Sequence, residues 1–248
     1  MDLPVFAAFL AIIAVGSFIQ ALSGFALGLT VLGVVTVLDL APITFTAAVI
    51  SIVSLLNGLW VLRKQHREVD WKILLLIGAG LAPGVAVGLE ILDHLDTHSP
   101  DMLKVILGCM LVAAGFLLTL NPHPRATVAK SHWNLWVGVS GGILGGMFST
   151  AGPPIVFYLY RQPLAIPVIR STLLAIFTVS TIFRNAFLGL EQELPPEVLQ
   201  MGLAAFPVVM FTAHLGAKST PHIPPLLMRR FAFGLLLILG LLLLARPG

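Results

Sequence analysis

Apolar runs separated by short polar breaks fill this chain from end to end. They resolve into eight segments, at roughly 4–38, 42–62, 73–92, 102–120, 133–161, 168–189, 197–216 and 226–245. A bilayer core about 30 Å thick is crossed by roughly 20 helical residues, and six segments have that length. The first and fifth are longer, about 34 and 29 residues, and both are rich in glycine. A helix of the first segment's length would run about 51 Å, too far for one crossing and suited to two half-length arms that enter and leave on one face.

Composition places the chain in a membrane. Of its 248 residues 58% are apolar and 10% charged, with a mean hydropathy of +1.00. An average soluble domain carries about 25% charged residues, so the soluble-enzyme classes are excluded and a polytopic membrane protein is expected. The net charge of +3, with no basic run beyond Arg63-Lys64 and Arg229-Arg230, gives no case for nucleic-acid binding. Cys109 is the single cysteine, cannot form an intrachain disulfide, and reads as a small packed core residue. Met1-Asp2 offers no basic n-region, so the first apolar stretch is expected to stay in the mature protein.

The chain also matches itself at an offset of 124 residues, half its length, which places Pro83 on Pro207, Pro100 on Pro224, Gly28 on Gly152 and Gly78 on Gly202 without a gap. Two related four-segment halves follow, 1–120 and 132–248, joined by a polar connector at 121–131. Duplicated halves of this kind are typical of transporters. If every segment crosses once, the 14 Lys and Arg residues divide about 8 to 6. If segments one and five are re-entrant hairpins, each half has three crossings and the halves are inverted. One face then gathers Arg63, Lys64, Arg67, Lys72, Arg125, Lys130, Arg161, Arg170, Lys218, Arg229 and Arg230, leaving only Lys104, Arg184 and Arg246 opposite. Positive residues mark the cytoplasmic face. The expected fold is therefore all-α, two inverted repeats, each a broken re-entrant helix hairpin plus three transmembrane helices, with both termini periplasmic.

The breaks carry the candidate chemistry. In segment five Pro153 and Pro154 cannot continue a helix begun near Trp133, and Ser149-Thr150-Ala151-Gly152 reads as a turn before a new one. Pro153 is suited to a first helical position, and Ser149 or Thr150 to its cap. Irregular backbone survives in a membrane only where protein buries it or water reaches it, which places both breaks at the centre, facing each other. A helix that starts there points free N–H groups and a positive dipole end at the cavity, and two such ends make an anion site without a buried cation. The candidate substrate-binding residues are Gln20, Ser23, Gly24, Gly28, Ser149, Thr150, Gly152 and Pro153. Glycines 141, 142, 145 and 146 read instead as close helix–helix packing.

Polar stripes on segments two and six include Ser54, Asn57, Thr178 and Thr181, which either line a route beside the breaks or bond their own helix backbone. Arg161 and Arg170 either attract an anion to the inner mouth or set topology. Arg184, well inside segment six, is costlier to bury and is expected to line the same route. Glu90 is the one carboxylate inside an apolar segment, and its partner at the offset of 124 is His214. Both are coupling or gating candidates. Asp93 to His98 is expected as a hydrated connection, and no metal or other cofactor is called for.

Gln20-Ala21-Leu22-Ser23-Gly24-Phe25 and Ser149-Thr150-Ala151-Gly152-Pro153-Pro154-Ile155 resemble the two signatures of the TauE/SafE sulfite exporter family. The likeness covers essentially the whole chain, although many members carry Gly-Phe-Gly where this one has Gly24-Phe25-Ala26. The resemblance implies transport of small sulfur-containing anions such as sulfite or organosulfonates. The leading expectation is a secondary transporter, an exporter, in a bacterial inner membrane, with the anion and the bilayer as partners; a homodimer is compatible with it. A divalent-cation carrier or channel is the alternative. No Gly-x-x-x-x-Gly-Lys-Ser/Thr loop is present for ATP, and no His-Glu-x-x-His or Gly-x-Ser-x-Gly constellation for an enzyme.

Overall fold

The computed structural model describes residues 3–23, 25–119, 131–190, 195–219 and 225–245. They form α1 (Leu3–Ser23), α2 (Leu27–Val37), α3 (Ile43–Gln65), a 3-10 turn (His66–Glu68), α4 (Trp71–His98), α5 (Pro100–Thr119), α6 (Ser131–Phe148), α7 (Gly152–Tyr160), α8 (Ile166–Leu190), α9 (Pro196–Ser219) and α10 (Pro225–Ala245). The expected connector falls almost wholly outside the described residues. In hydrocarbon the backbone must satisfy its own hydrogen bonds, so apolar segments of this length become helices. Six of them, α1, α3, α4, α5, α8 and α9, are long and apolar enough to cross a bilayer.

Both long segments are broken, but not at their midpoints. α1 has 21 residues and α2 has 11; α6 has 18 and α7 has 9. At 1.5 Å per residue α1 runs about 31 Å, the full depth of a core, so the expectation of two half-length arms is corrected to one long arm and one short. The reason is local. Gly16 does not break α1, because it is where α2 packs back: a Cβ there would lie 2.8 Å from Val31 Cγ2. Asp93 to His98 is likewise not a connection but the last turns of α4, where Thr97 Oγ1 donates to the Asp93 carbonyl and His94 stacks on His98. Cys109 is exposed rather than packed in the core, because α5 turns its opposite side, with Leu103, Leu107 and Leu111, inward.

Four helix pairs fix the arrangement. α4 runs parallel to α6, with Gly80, Gly84 and Gly88 meeting the backbone of Leu135–Val139, Val139–Ile143 and Ile143 in turn. α1 runs along α9 in the same sense, with Ser17 Oγ donating to the Val209 carbonyl at 3.2 Å and Gly216 against Phe18 and Ala21. α3 is antiparallel to α8, since Ser51 meets Asn185, Gly58 meets Thr178 and Gln65 meets Ser171. α5 is antiparallel to α10, with Gly108 on Leu244 and Gly115 on Leu237. The starts of α2 to α5 precede those of α7 to α10 by 123 to 125 residues.

The two hairpins open at opposite ends of the molecule. Phe6 of α1 shares a recess with Leu40 and Pro42, just past α2, and with Glu197 at the start of α9. At the other end Tyr158, late in α7, donates to Asn134 Oδ1 near the start of α6 at 3.0 Å. The turn from α3 to α4 lies at that second end. Asp70 caps α4 by accepting from the Ile73 N–H at 3.0 Å, while its own N–H donates to Thr172 of α8.

Candidate functional site

The short arms bring the two breaks together. A Cβ on Gly28, in the first turn of α2, would lie 3.3 Å from Thr150 Cβ and 3.7 Å from the Ser149 carbonyl oxygen, with Ile50 of α3 at 3.4 Å. A methyl at that position would crowd the start of α2 against the second break. Gly152, Thr150, Ser149 and Pro153 are all buried there. Gly24 and the side chain of Ser23 lie outside the described residues; Ser23 is the last residue of α1. Gln20 is not at this contact and instead lines a separate cavity.

The two helix starts differ in what they offer. The first hydrogen bond inside α2 is from Thr30 N–H to the Ala26 carbonyl, at 3.0 Å. The N–H groups of Leu27, Gly28 and Leu29 therefore have no acceptor within their helix. α7 begins at Gly152 with Ala151 as its cap, and no side chain caps it. This corrects the expectation that Ser149 or Thr150 caps the helix and that Pro153 holds its first position; Pro153 and Pro154 take the second and third. Neither proline has an N–H, so Gly152 supplies the one donor of that turn's first three positions. Ser149, at a φ of 55°, turns its hydroxyl away and donates to the Ala47 carbonyl of α3.

Beside the second break lies a charge. Arg184 of α8 is 1% exposed. Its Nε donates to the Gly146 carbonyl, in the last turn of α6, at 2.9 Å, and its Nη1 reaches Ser51 Oγ at 3.4 Å. Ser51 Oγ in turn lies 2.9 Å from Asn185 Oδ1, and Asn185 Nδ2 donates to the Thr181 carbonyl. The anion site read as free of cations thus has a guanidinium one helical turn away.

Two cavities flank the centre, at opposite ends of the α3–α8 pair. One, of about 390 Å³, is lined by Thr44, Phe45, Glu90, Asp93, Arg184 and Phe187 among others. The other, of about 370 Å³, takes in Ser17, Gln20, Asn57, Gln65, Glu68 and Arg170. Glu90 and His214 do not meet: Glu90 faces the first cavity, and His214 is exposed beside Ala213, which lines the second.

The polar stripes divide in the same way. Thr178 donates to Leu174 and Thr181 to Thr178, carbonyls of their own helix, while Thr178 also packs on Gly58. Ser54 is half-buried and lines neither cavity, whereas Asn57 is buried with no partner for its Oδ1. Arg161 stacks over Phe157, 5.5 Å from the ring centroid. Glycines 138, 142 and 146 pack on α4, while Gly141 meets Ile155 and Gly145 meets Ser180. Sequence reasoning did not give Ser51 and Asn185 a role in holding Arg184. Their separation of 134 positions carries no local signal, and only the antiparallel register of α3 and α8 joins them.

Comparisons with known proteins agree on a family. The family model for the sulfite exporter TauE/SafE matches residues 8–243. A protein of Cupriavidus necator named "Probable sulfite/organosulfonate exporter TauE" is 35% identical over 230 residues, covering 93% of this chain and 90% of the relative. A Comamonas testosteroni protein named "Probable inner membrane transporter protein TsaS" is 33% identical over 180 residues, 71% of this chain and 73% of its own. No solved structure matches.

Proposed function

This chain belongs to the TauE/SafE sulfite exporter family, and from that premise we propose that it is a secondary transporter that exports small sulfur-containing anions, sulfite or an organosulfonate, across a bacterial inner membrane. The relatives' names carry the substrate class. The observation that carries the site is the meeting of Gly28 with Thr150 and Ser149. The two elements that meet there carry the free α2 amides of Leu27, Gly28 and Leu29, with Thr150 and Gly152 opposite, and such backbone donors at a positive helix end favour an anion.

Alternating access is supported by the two cavities, one toward each end of α3 and α8, with the breaks and Arg184 between them. The inverted arrangement is supported by symmetry. Helices at matching places in the two halves, α3 with α8 and α5 with α10, pack antiparallel, which an axis in the membrane plane produces and an axis along the membrane normal does not. Arg63, Arg67, Lys72 and Arg170 share the end at which the second hairpin opens. That end is cytoplasmic by the positive-inside rule, so the start of α1 is periplasmic.

Purified protein in liposomes should move sulfite and ethanesulfonate and leave divalent cations behind. Ser149→Ala combined with Thr150→Ala should weaken anion binding. Flux of a divalent cation without anion flux would establish the carrier or channel alternative, and unchanged binding in the double variant would sink the site.

A further inference from the structure

Within that transport reading, we infer that Arg184 is the residue that reads the negative charge of the substrate, from the cavity it shares with Glu90 and Asp93, and that these two carboxylates lower the anion's affinity on that side. A guanidinium buried inside a membrane helix is costly to hold and favours a counter-charge at some stage of the cycle. Among the described residues no carboxylate pairs with it. Its two hydrogen bonds, at Nε and Nη1, go to uncharged oxygens, Gly146 O and Ser51 Oγ. A guanidinium has five N–H donors in a fixed fork, so most of its capacity is unspent on the wall of a cavity of about 390 Å³.

The fork suits the proposed cargo. The oxygens of a sulfite or sulfonate group can accept two parallel N–H bonds from a guanidinium, which an ammonium cannot reproduce. Arg184 is also pre-positioned, since Ser51, itself set against Asn185, and the end of α6 hold it in place. An anion bound there would sit one turn from the second break, because Gly146, which accepts from Arg184, and Gly145, which accepts from the Ser149 N–H at 2.9 Å, are neighbours.

The rim has the opposite sign. Glu90 and Asp93 are exposed, three residues apart on α4, and therefore on one helix face above the same cavity. An anion leaving Arg184 through this mouth passes two like charges, which shortens its stay. The opposite cavity presents Arg170, with Glu68 accepting from Ser171 at 3.0 Å. The second cavity is lined by both Arg170 and Glu68 and is balanced in charge, whereas the rim of the first carries two carboxylates, and repulsion at the exit end alone is a polarity that suits an exporter.

The test is anion binding by the purified full-length protein in detergent, by calorimetry at fixed ionic strength, with sulfite and ethanesulfonate as probes. Arg184→Gln should weaken both by about thirtyfold or more, and Arg184→Lys, which keeps the charge and loses the fork, by about tenfold. Glu90→Gln with Asp93→Asn should tighten binding about threefold and, in alkaline buffer where sulfite is doubly charged, more for sulfite than for singly charged ethanesulfonate. A folding defect cannot tighten binding, so that arm decides the matter even where an Arg184 variant fails to fold. Wild-type affinity in a monodisperse Arg184→Gln protein overturns the inference, as does unchanged affinity in the carboxylate variant; both leave the transport reading standing. Wild-type protein that binds and moves neither anion overturns that reading, and this one with it.

Discussion

The long arms of the two hairpins are held in different ways. α6 meets α4 backbone to backbone: a Cβ on Gly138 would lie 2.2 Å from the Ile77 carbonyl oxygen, and one on Gly146 would lie 2.3 Å from that of Val85. α1 meets α9 closely at fewer points, with the Ser17 hydroxyl on the Val209 carbonyl and Gly216 against the Ala21 methyl and the Phe18 carbonyl oxygen. Arg184 adds a further tie to the end of α6. The second hairpin is thus built into the first half of the chain by a ladder of glycines, while the first hairpin rests on α9 at a single close glycine contact. If the proposed cycle moves one hairpin against the rest, the glycine ladder predicts that α4–α6 stays fixed and α1–α2 moves.

The glycines test this contrast most severely. Gly138→Ala drives a methyl into the backbone of Ile77 and Gly80, with the same register locked one and two turns further on at Gly142 and Gly146. The expected loss is about 3 kcal/mol, the upper range for overpacking, read as a melting-temperature drop in detergent. Gly216→Ala meets Ala21 Cβ at 2.6 Å, but with no matching glycine ladder on α1, and should lose about 1 kcal/mol. Equal losses would end the distinction between a fixed and an adjustable pair.

How much of this the sequence carries depends on the range of the signal. The hairpins were legible because Gly24, Gly152, Pro153 and Pro154 interrupt apolar runs that are otherwise too long. The unequal arms were not, since Gly16 and Gly24 look alike in one dimension, and only the return of Val31 of α2 onto Gly16 shows it to be a packing site. Glycines 141 to 146 were legible as packing residues. Which of each adjacent pair faces α4 follows from the helix rotation, with 142 and 146 toward α4 and 141 and 145 toward Ile155 and Ser180. Arg184 stood out by its charge. Its clamp did not, because Ser51 and Gly146 come from two other helices.

The breaks themselves offer a finer contrast. Gly28→Ala sets a methyl 3.3 Å from Thr150 Cβ and 3.4 Å from Ile50 Cγ2, between two elements that the proposed site needs close together. The helix preference of alanine over glycine, about 1 kcal/mol, offsets much of the crowding. Stability should therefore stay near wild type while sulfite flux into liposomes falls by about tenfold, or about 1.4 kcal/mol in the barrier. Gly152→Ala meets only the Thr150 hydroxyl at 3.3 Å and Leu29 Cδ1 at 3.9 Å, and a hydroxyl can turn aside. Its flux should fall less than about threefold, which is under 1 kcal/mol. A larger effect at 152 than at 28 would shift the anion toward α7 and away from the amides of α2.

The smallest effect separates strain from chemistry at the second break. Ser149 holds a φ of 55° and donates its hydroxyl to Ala47 of α3. Ser149→Ala loses that hydrogen bond, worth about 1 kcal/mol, and keeps a left-handed backbone that costs a non-glycine residue about 1 kcal/mol. Ser149→Gly loses the same bond but relieves the strain, so it should melt close to the wild type and about 1 kcal/mol above the alanine variant. Stability then ranks glycine above alanine. The one proton of that hydroxyl is committed to Ala47, so an anion uses it only if the bond opens during the cycle. In that case both variants lack it and both should lose sulfite binding to the same degree, whatever their stability. If flux instead tracks the melting temperature, with Ser149→Gly transporting as well as wild type, then Ser149 serves the turn alone. The anion would then be left to the α2 amides, Thr150 and Arg184.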